Sequence, residues 1–350
     1  MTRPAPKGRA AGWTEESPRQ RAGSSGPEAQ EKMVDVFSDT EEASTAKNPS
    51  GYAVARLGDR DPRVLTLSAD LANTLAEFRE RHPDRYIELG IAETNSVSLA
   101  AGLAASGFLP YIFSMAPFGV IKCAEQVRTD LAATKMRVRI VSRLSGLAMG
   151  FFGTSHHAIE DVAIARTIPN MTVVAPADGN AVLSLMRSTA DTGGPVYIRV
   201  SEATRPVYES IPEFERGRWP RLRSGSDVSL VGHGMGVGLA IAAAGELAGQ
   251  GIEADVYDAA YLKPFDEEAL AETAGRTGHV VAIEDHTEVG GLASIVAEVA
   301  GRRRLGAELA SVCLPDQDLE VGVPADLYDF YGLNVSGVAG VARRLLGRSG

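Results

Sequence analysis

Cysteine is scarce in this chain of 350 residues, and positive charge is in the minority. The two cysteines, Cys123 and Cys313, lie far apart, which excludes a disulfide scaffold or a zinc finger and suits a reducing compartment. Lys and Arg total 35 against 45 Asp and Glu, a formal net charge of −10. Nucleic acids and anionic membranes are bound through basic faces, so neither is an expected partner.

Targeting and membrane-spanning segments are also missing from the pattern. The N-terminus lacks the charged, apolar and small-residue succession of a secretory signal. The segment Val97–Ile121 has no charged side chain and the length of a membrane span, but it is interrupted by glycine and proline. We expect a buried helix and strand joined by a turn at 107–110, and a cytoplasmic protein.

Apolar runs alternate with helical patterns over most of the chain, which predicts two doubly wound α/β domains. The predicted organisation is a disordered tail at 1–45, a first domain at 46–203, a linker at 204–225 and a second domain at 226–350. Predicted strands are 64–68, 87–91, 138–141, 172–175, 196–200, 228–231, 254–257 and 280–283. Predicted helices are 93–106, 119–134, 159–168, 179–191, 236–249, 266–274 and 291–300.

A glycine-rich turn, Gly232–Gly238, follows a predicted strand and opens a helix. Its G-x-G-x-G-x-G spacing differs from the dinucleotide fingerprint G-x-G-x-x-G, and Asp255 or Asp258 only loosely meets the position of the ribose-binding acid. A tight strand-to-helix turn needs glycine for backbone reasons alone. We therefore favour a structural role.

Two clusters could carry chemistry. Glu93 stands where an apolar strand ends and a helix of small residues begins, the place where ligands dock in open α/β sheets. It is equally consistent with an acid that complements the helix dipole. His156 and His157 follow Gly153 before a predicted helix, where a functional pair competes with a simple helix cap. Serine-hydrolase, P-loop and zinc-protease motifs are absent from the sequence.

These clusters belong to a series of blocks that resembles the C-terminal section of transketolase along nearly all of residues 47–345. The matching blocks are Asp61–Val64, Ser68–Ala72, Pro83–Tyr86, Gly90–Glu93, Gly153–His156, Ile168–Asp178, Gly194–Arg199, Leu262–Asp266, Glu284–His286 and Gly290–Gly291. The order of so many blocks makes the resemblance specific.

The resemblance implies a thiamine diphosphate cofactor in a cleft shared between domains of different chains. Glu93 looks like the glutamate that hydrogen-bonds the pyrimidine nitrogen, and Phe118 looks like the aromatic residue that stacks on the pyrimidine. Met115 and Ile121 fall near positions where transketolases often carry aromatic residues. His156 matches the active-site histidine that handles the substrate oxygen and its proton.

Substrate-binding positions also follow from the resemblance. Lys47 and Arg199 align with basic residues that hold a substrate phosphate, with Asn73 or Thr74 nearby, and His157 is assigned to the same group. Phe152 stands where transketolases usually carry an aspartate that contacts a sugar hydroxyl. Leu144 stands where a substrate-binding histidine is common.

The diphosphate and metal half of the family carries Gly-Asp-Gly, which this sequence lacks. We therefore predict one subunit of a split enzyme: a separate N-terminal-type subunit would bind the diphosphate and Mg²⁺, two copies of each would form a heterotetramer, and the chain alone would be inert. The replacement of polar by apolar residues at 144 and 152 predicts a modified sugar or an α-keto acid as substrate, unless neighbouring loops restore the hydroxyl contacts.

Two other functions remain open at this point. One is a decarboxylating relative that acts on α-keto acids, either similar to deoxyxylulose-phosphate synthase or to a dehydrogenase β subunit. The other is a non-catalytic assembly or regulatory subunit that has kept the fold. The Ser155-His156 and Ile168-Pro-Asn blocks favour transketolase over the dehydrogenase.

Overall fold

Two mainly parallel β-sheets with flanking helices make up residues 48–202 and 204–348, the part of the chain that this computed structural model describes. The predicted tail at 1–45 and Lys47 lie outside these residues. The observed sheets confirm the predicted α/β fold class.

The strands are β1 (Val64–Ser68), β2 (Tyr86–Glu88), β3 (Leu109–Met115), β4 (Arg139–Arg143), β5 (Thr172–Val174), β6 (Val196–Arg199), β7 (Arg221–Arg223), β8 (Val228–Gly232), β9 (Ala254–Asp258), β10 (Tyr261–Lys263), β11 (His279–Thr287) and β12 (Glu308–Leu314). The α-helices are α1 (Pro49–Arg60), α2 (Ala76–Arg81), α3 (Glu93–Ala105), α4 (Ala124–Gln126), α5 (Asp161–Thr167), α6 (Gly179–Thr189), α7 (Met235–Ala248), α8 (Glu267–Thr277), α9 (Leu292–Arg303), α10 (Pro324–Phe330) and α11 (Val335–Leu345).

The first sheet has the strand order β10-β5-β6-β4-β3-β1-β2. Its strands are parallel except β10, which runs antiparallel to β5. All five residues of β1 are buried, as expected for a central strand covered on both faces. The chain leaves β1 toward β2 on one side and returns to β3 on the other, so the carboxyl ends of β1 and β3 flank a topological switch point.

The second sheet has the order β12-β11-β8-β9-β7, with β7 antiparallel to β9. The glycine-rich turn links β8 to α7 in this sheet. A Cβ atom on Gly236 would lie 2.4 Å from the carbonyl oxygen of Ile283, so helix and sheet approach too closely for any side chain there. This packing supports the structural role inferred for the turn.

The structure corrects several predicted elements. The strand predicted at 87–91 ends at Glu88, and the helix predicted at 119–134 is broken into π-helical segments, Pro117–Ile121 and Val127–Ala132, around α4. The turn predicted at 107–110 is shorter, because β3 starts at Leu109 and pairs Pro110 with Leu65 of β1. The pattern also missed α1, α2, α10, α11 and three short or terminal strands, β7, β10 and β12.

The two sheets are joined by more than one connection. Strand β10 comes from beyond residue 260 yet completes the first sheet, and the Ala175 amide donates to the Ala260 carbonyl at 2.9 Å. Strand β7 lies inside the predicted 204–225 linker. The predicted domain boundaries stay predictions. Strand β7 pairs with β9 across the predicted boundary at 225–226, and β10 pairs with β5 across the whole predicted linker.

Within the described residues, no helix has both the length and the apolar character needed to cross a bilayer. The uncharged stretch 97–121 is instead divided between α3, β3 and the π-helical segment that follows.

Candidate active site

Glu93 is the first residue of α3 and is 4% exposed. Its Oε2 accepts a hydrogen bond from Lys122 Nζ at 2.8 Å, and no described residue donates to Oε1. The bond to Glu93 raises the pKa of Lys122, whose own side chain stays largely in solvent. A buried carboxylate with one oxygen paired and one left over is suited to receive a hydrogen-bond donor from a ligand.

Phe118 lies in the π-helical segment Pro117–Ile121, directly after β3. Such segments are frequent at functional sites because they re-aim side chains within a helix. The Phe118 ring has the Lys122 ammonium 5.8 Å from its centroid. Met115 ends β3 and Ile121 ends the π-helical segment, and both are half-buried.

His156 is carried by the segment between β4 and α5, which we call the His156 loop (residues 144–158). Its ring lies edge-on to Phe118, with centroids 5.3 Å apart, and stacks on Phe152 at 4.6 Å. Ser155 Oγ lies 2.9 Å from His156 Nδ1, and no described residue bonds Nε2. An imidazole with one nitrogen held and the other available can donate a hydrogen bond to a substrate oxygen or accept one from it.

The structure therefore brings together the residues predicted for the catalytic centre. Contacts run from Glu93 through Lys122 and Phe118 to His156 and Phe152. Lys122 was missed at the sequence level, because a lone lysine beside an apolar stretch gives no recognisable pattern.

A second group of polar residues lies at the carboxyl ends of the neighbouring strands. Thr74 Oγ accepts a hydrogen bond from Arg143 at the end of β4, and Arg143 also pairs with Glu202 at 2.6 Å. Asn73 is exposed beside Thr74. Arg143 was not among the predicted substrate-binding residues, although its place directly after an apolar strand was a signal for it.

The prediction for Arg199 is corrected by its surroundings. Its side chain is fully buried and pairs with Asp161 at 2.9 Å and with Asp285 at 2.5 Å. Burial lowers the pKa of Arg199, but the charges of the two aspartates outweigh it and hold the pKa above its usual range. Arg199 is therefore a buried structural cation and does not reach a substrate phosphate.

The placement of His157 likewise gives no support for substrate binding. It is 4% exposed, and its Nε2 lies 3.3 Å from the Gly150 carbonyl oxygen. Its contact is with the backbone of its own loop.

A cavity of about 540 Å³ opens where β4, β5 and β6 end. Arg143, Glu202, Asn180, Ser50 and Tyr208 are among its lining residues. The nearby Asp178 carboxylate caps α6 and accepts the amides of Val207 and Tyr208, both at 2.8 Å. The cavity wall mixes polar and apolar residues, and the charge of Arg143 is already balanced by Glu202.

We expect Asp258, at the end of β9, to make the stability of the fold depend on pH. Tyr208 donates to its Oδ2 at 2.7 Å, and its Oδ1 has no partner in the described part of the chain. Burial, assisted by the charge of Asp178, raises the pKa of Asp258 from 3.8 to about 7, against the opposing effect of the Tyr208 bond.

Asp258→Asn should remove this dependence. Because the folded-state pKa lies above the unfolded one, the folded protein loses stability as pH rises from about 4 to about 7. In urea unfolding, the free energy of unfolding of D258N should rise relative to that of the wild type across that window. The exposed Asp318→Asn should show no such rise. A constant difference between D258N and wild type from pH 4.5 to 8 would contradict the raised pKa.

The expected thiamine diphosphate fits this site only in part. The buried Glu93 carboxylate and the Phe118 ring suit an aromatic ring with a nitrogen donor. No group of three or more His, Cys, Asp or Glu among the described residues could hold a metal ion. The fit to the cofactor therefore rests on Glu93 and Phe118 alone.

Comparison with known proteins identifies the family. Residues 43–206 match the family model described as "Transketolase, pyrimidine binding domain", and residues 217–338 match "Transketolase, C-terminal domain". The chain is 34% identical over 286 residues to one of the subunits of the apulose-4-phosphate transketolase of Phocaeicola vulgatus, covering 81% of this chain and 91% of that protein. It is 36% identical over 293 residues to the 6-deoxy-6-sulfo-D-fructose transketolase subunit SqwH of a Clostridium species, covering 83% and 90%.

A solved structure of the same family is also similar to this chain. A split-gene transketolase, described as an inactive β4 tetramer, superposes with a TM-score of 0.80 at 35% identity, covering 86% of this chain and 98% of that one. Membership implies dependence on thiamine diphosphate, as the motifs indicated. On both domain matches and these relatives, the chain belongs to the transketolase family.

Proposed function

We propose that this chain is one subunit of a split transketolase that transfers a two-carbon ketol unit from a ketose or ketose phosphate to an aldose-type acceptor. The observation that carries the proposal is the contact series from Glu93 to His156. The bound cofactor would supply the carbon that holds the two-carbon unit during transfer.

Three residues of the series, Glu93, Phe118 and His156, have distinct tasks in this function. Glu93 would bind the pyrimidine nitrogen through a charge-assisted hydrogen bond, worth roughly 1.5–3 kcal/mol. Phe118 would support the pyrimidine face, with Met115 and Ile121 at the pocket wall. His156 would exchange a proton with the substrate oxygen through Nε2, while Ser155 orients the ring.

The remaining half of the site would come from an N-terminal-type subunit that binds the diphosphate and Mg²⁺, with two copies of each chain in a heterotetramer. The subunit relatives support this arrangement, because the chain spans about nine-tenths of their length. The description of a structurally similar β4 tetramer as inactive agrees with the need for a second chain.

Reconstitution tests the proposal. The purified chain, thiamine diphosphate and Mg²⁺ are assayed for ketol transfer with and without a chain that carries Gly-Asp-Gly. We expect turnover only in the mixture. Turnover by this chain alone would overturn the split arrangement, and carbon dioxide release from pyruvate would favour a decarboxylating activity.

The apolar wall beside His156 points to the substrate. Phe151 and Phe152 are each 55% exposed, with rings 4.8 Å apart, and Phe152 covers one face of His156. A wall of this kind offers no hydrogen bond to a sugar hydroxyl, and a hydroxyl without a partner is penalised when bound. We therefore infer a sugar substrate that lacks a hydroxyl, or carries an apolar group, at the carbon that faces Phe152.

Phe152→Asp should shift this preference. Restoring an acceptor should raise kcat/KM for ribose 5-phosphate relative to a deoxy acceptor by about tenfold, the effect of one hydrogen bond worth about 1.4 kcal/mol. Competition assays on the reconstituted enzyme measure the ratio. Phe151→Asp is the matched control and should leave it unchanged, and fast wild-type turnover of xylulose and ribose 5-phosphates would refute the inference.

A further inference from the structure

The backbone of the His156 loop packs directly on the segment that leads into α10. A Cβ atom on Gly150 would lie 2.5 Å from Leu327 Cδ1 and 2.9 Å from the Gly322 carbonyl oxygen, so the loop leaves no room for a side chain at position 150. The Gly322 amide donates to the Gly150 carbonyl at 3.2 Å. The loop that carries His156 thus rests on the C-terminal part of the chain.

Tyr328 of α10 makes the most specific contact in this packing. The Leu147 amide donates to the Tyr328 hydroxyl at 2.9 Å, and both residues are buried. Burial and the charge of Asp285 raise the pKa of Tyr328, so the hydroxyl stays neutral. A buried amide needs an acceptor, and here the acceptor comes from α10, in the C-terminal part of the chain.

The carboxyl end of the loop is also held through contacts that reach the C-terminal part of the chain. Gly146 and Ala158 exchange two backbone hydrogen bonds of 3.1 and 3.0 Å that close the loop. The Ala158 carbonyl accepts a bond from Arg199 at 3.1 Å, and Arg199 is held by Asp285 of β11. Phe152 and His156 lie between these two anchor points.

We propose that Tyr328 is a positioning residue that fixes the His156 loop, and with it the stacked rings of Phe152 and His156, for the reaction. This inference rests on the proposed function for its catalytic consequence. Its structural part concerns the purified chain alone. The C-terminal part of the chain would then have a defined task, which is to hold His156 in place.

Hydrogen exchange on the purified chain tests the structural part. Tyr328→Phe keeps the ring and removes the acceptor, so amides in a peptide covering 145–153 should exchange about tenfold faster. Peptides from β8 and β9 should not change. Tyr257→Phe is the matched control, because this tyrosine is equally buried but bonds Arg276. Unchanged exchange of the loop in Y328F would overturn the proposal.

Kinetics of the reconstituted enzyme test the catalytic part. Y328F should lower kcat about tenfold with little change in the KM for thiamine diphosphate, since Glu93 and Phe118 lie outside the loop. Equal loss in Y257F, or unaltered kcat in Y328F, would refute positioning. If the wild-type mixture itself shows no ketol transfer, the proposed function fails, and loop exchange alone then decides on Tyr328.

Discussion

Glu93→Gln should lower ketol transfer by the reconstituted enzyme about 10²-fold, the loss expected when a charge-assisted hydrogen bond worth up to about 3 kcal/mol is weakened. Glutamine has nearly the same shape but no charge, so it cannot favour the protonated state of a ring nitrogen bonded to it. The fold should persist, because the side chain of the counter-ion left behind, Lys122, is 45% exposed and can be solvated. Steady-state turnover at saturating thiamine diphosphate measures the loss.

Glu125→Gln is the control for this prediction. Glu125 is an exposed glutamate in α4, three residues beyond Lys122, and its replacement should leave turnover unchanged. Size-exclusion chromatography checks that E93Q still assembles with the second subunit. Turnover of E93Q within twofold of wild type would favour the assembly or regulatory role over catalysis.

Arg199→Met should destabilise the chain by about 3–5 kcal/mol, the cost of leaving buried charges without their counter-ion. Methionine fills much of the same volume, but Asp161 and Asp285 would then face each other's charge without the cation between them. The Tyr197 hydroxyl, which donates to Asp161 at 2.6 Å, satisfies only one of the orphaned oxygens. Urea unfolding of the purified chain measures the difference.

Arg303→Met serves as the comparison, because Arg303 pairs with Glu268 at the surface. Exposed pairs of this kind contribute little, so no measurable change is expected. Equal stability of R199M and wild type would mean that Arg199 is not the buried structural cation inferred above. Ordinary stability with weakened binding of a phosphorylated substrate would restore the role first predicted for it.

The sequence was most informative where a pattern and a position reinforced each other. The run Val64–Ser68 is mostly apolar and follows a turn, and it is β1 with the predicted bounds. Glu93 was singled out as an acid between an apolar strand and a helix, and the structure buries it at that junction. Both inferences needed only local periodicity and the general geometry of parallel sheets.

The sequence was least informative where long-range contacts decide a residue's role. Arg199 stands in a family block and follows an apolar strand, yet Asp161 and Asp285, distant in sequence, enclose it. Strand β10 has three residues, and only pairing with β5 makes it a strand. Tyr328 shows no motif at all, because its importance arises from one amide nearly two hundred residues away.

The crossing of β10 into the first sheet has a consequence for how such chains can be recombined. A fragment that stops near residue 203 would lack the strand that covers β5, so a naked sheet edge would invite self-association. Swapping C-terminal domains between relatives therefore also replaces the edge strand β10 of the first sheet. A chimera should therefore take β5 and β10 from the same parent protein, and a junction at the domain border separates them.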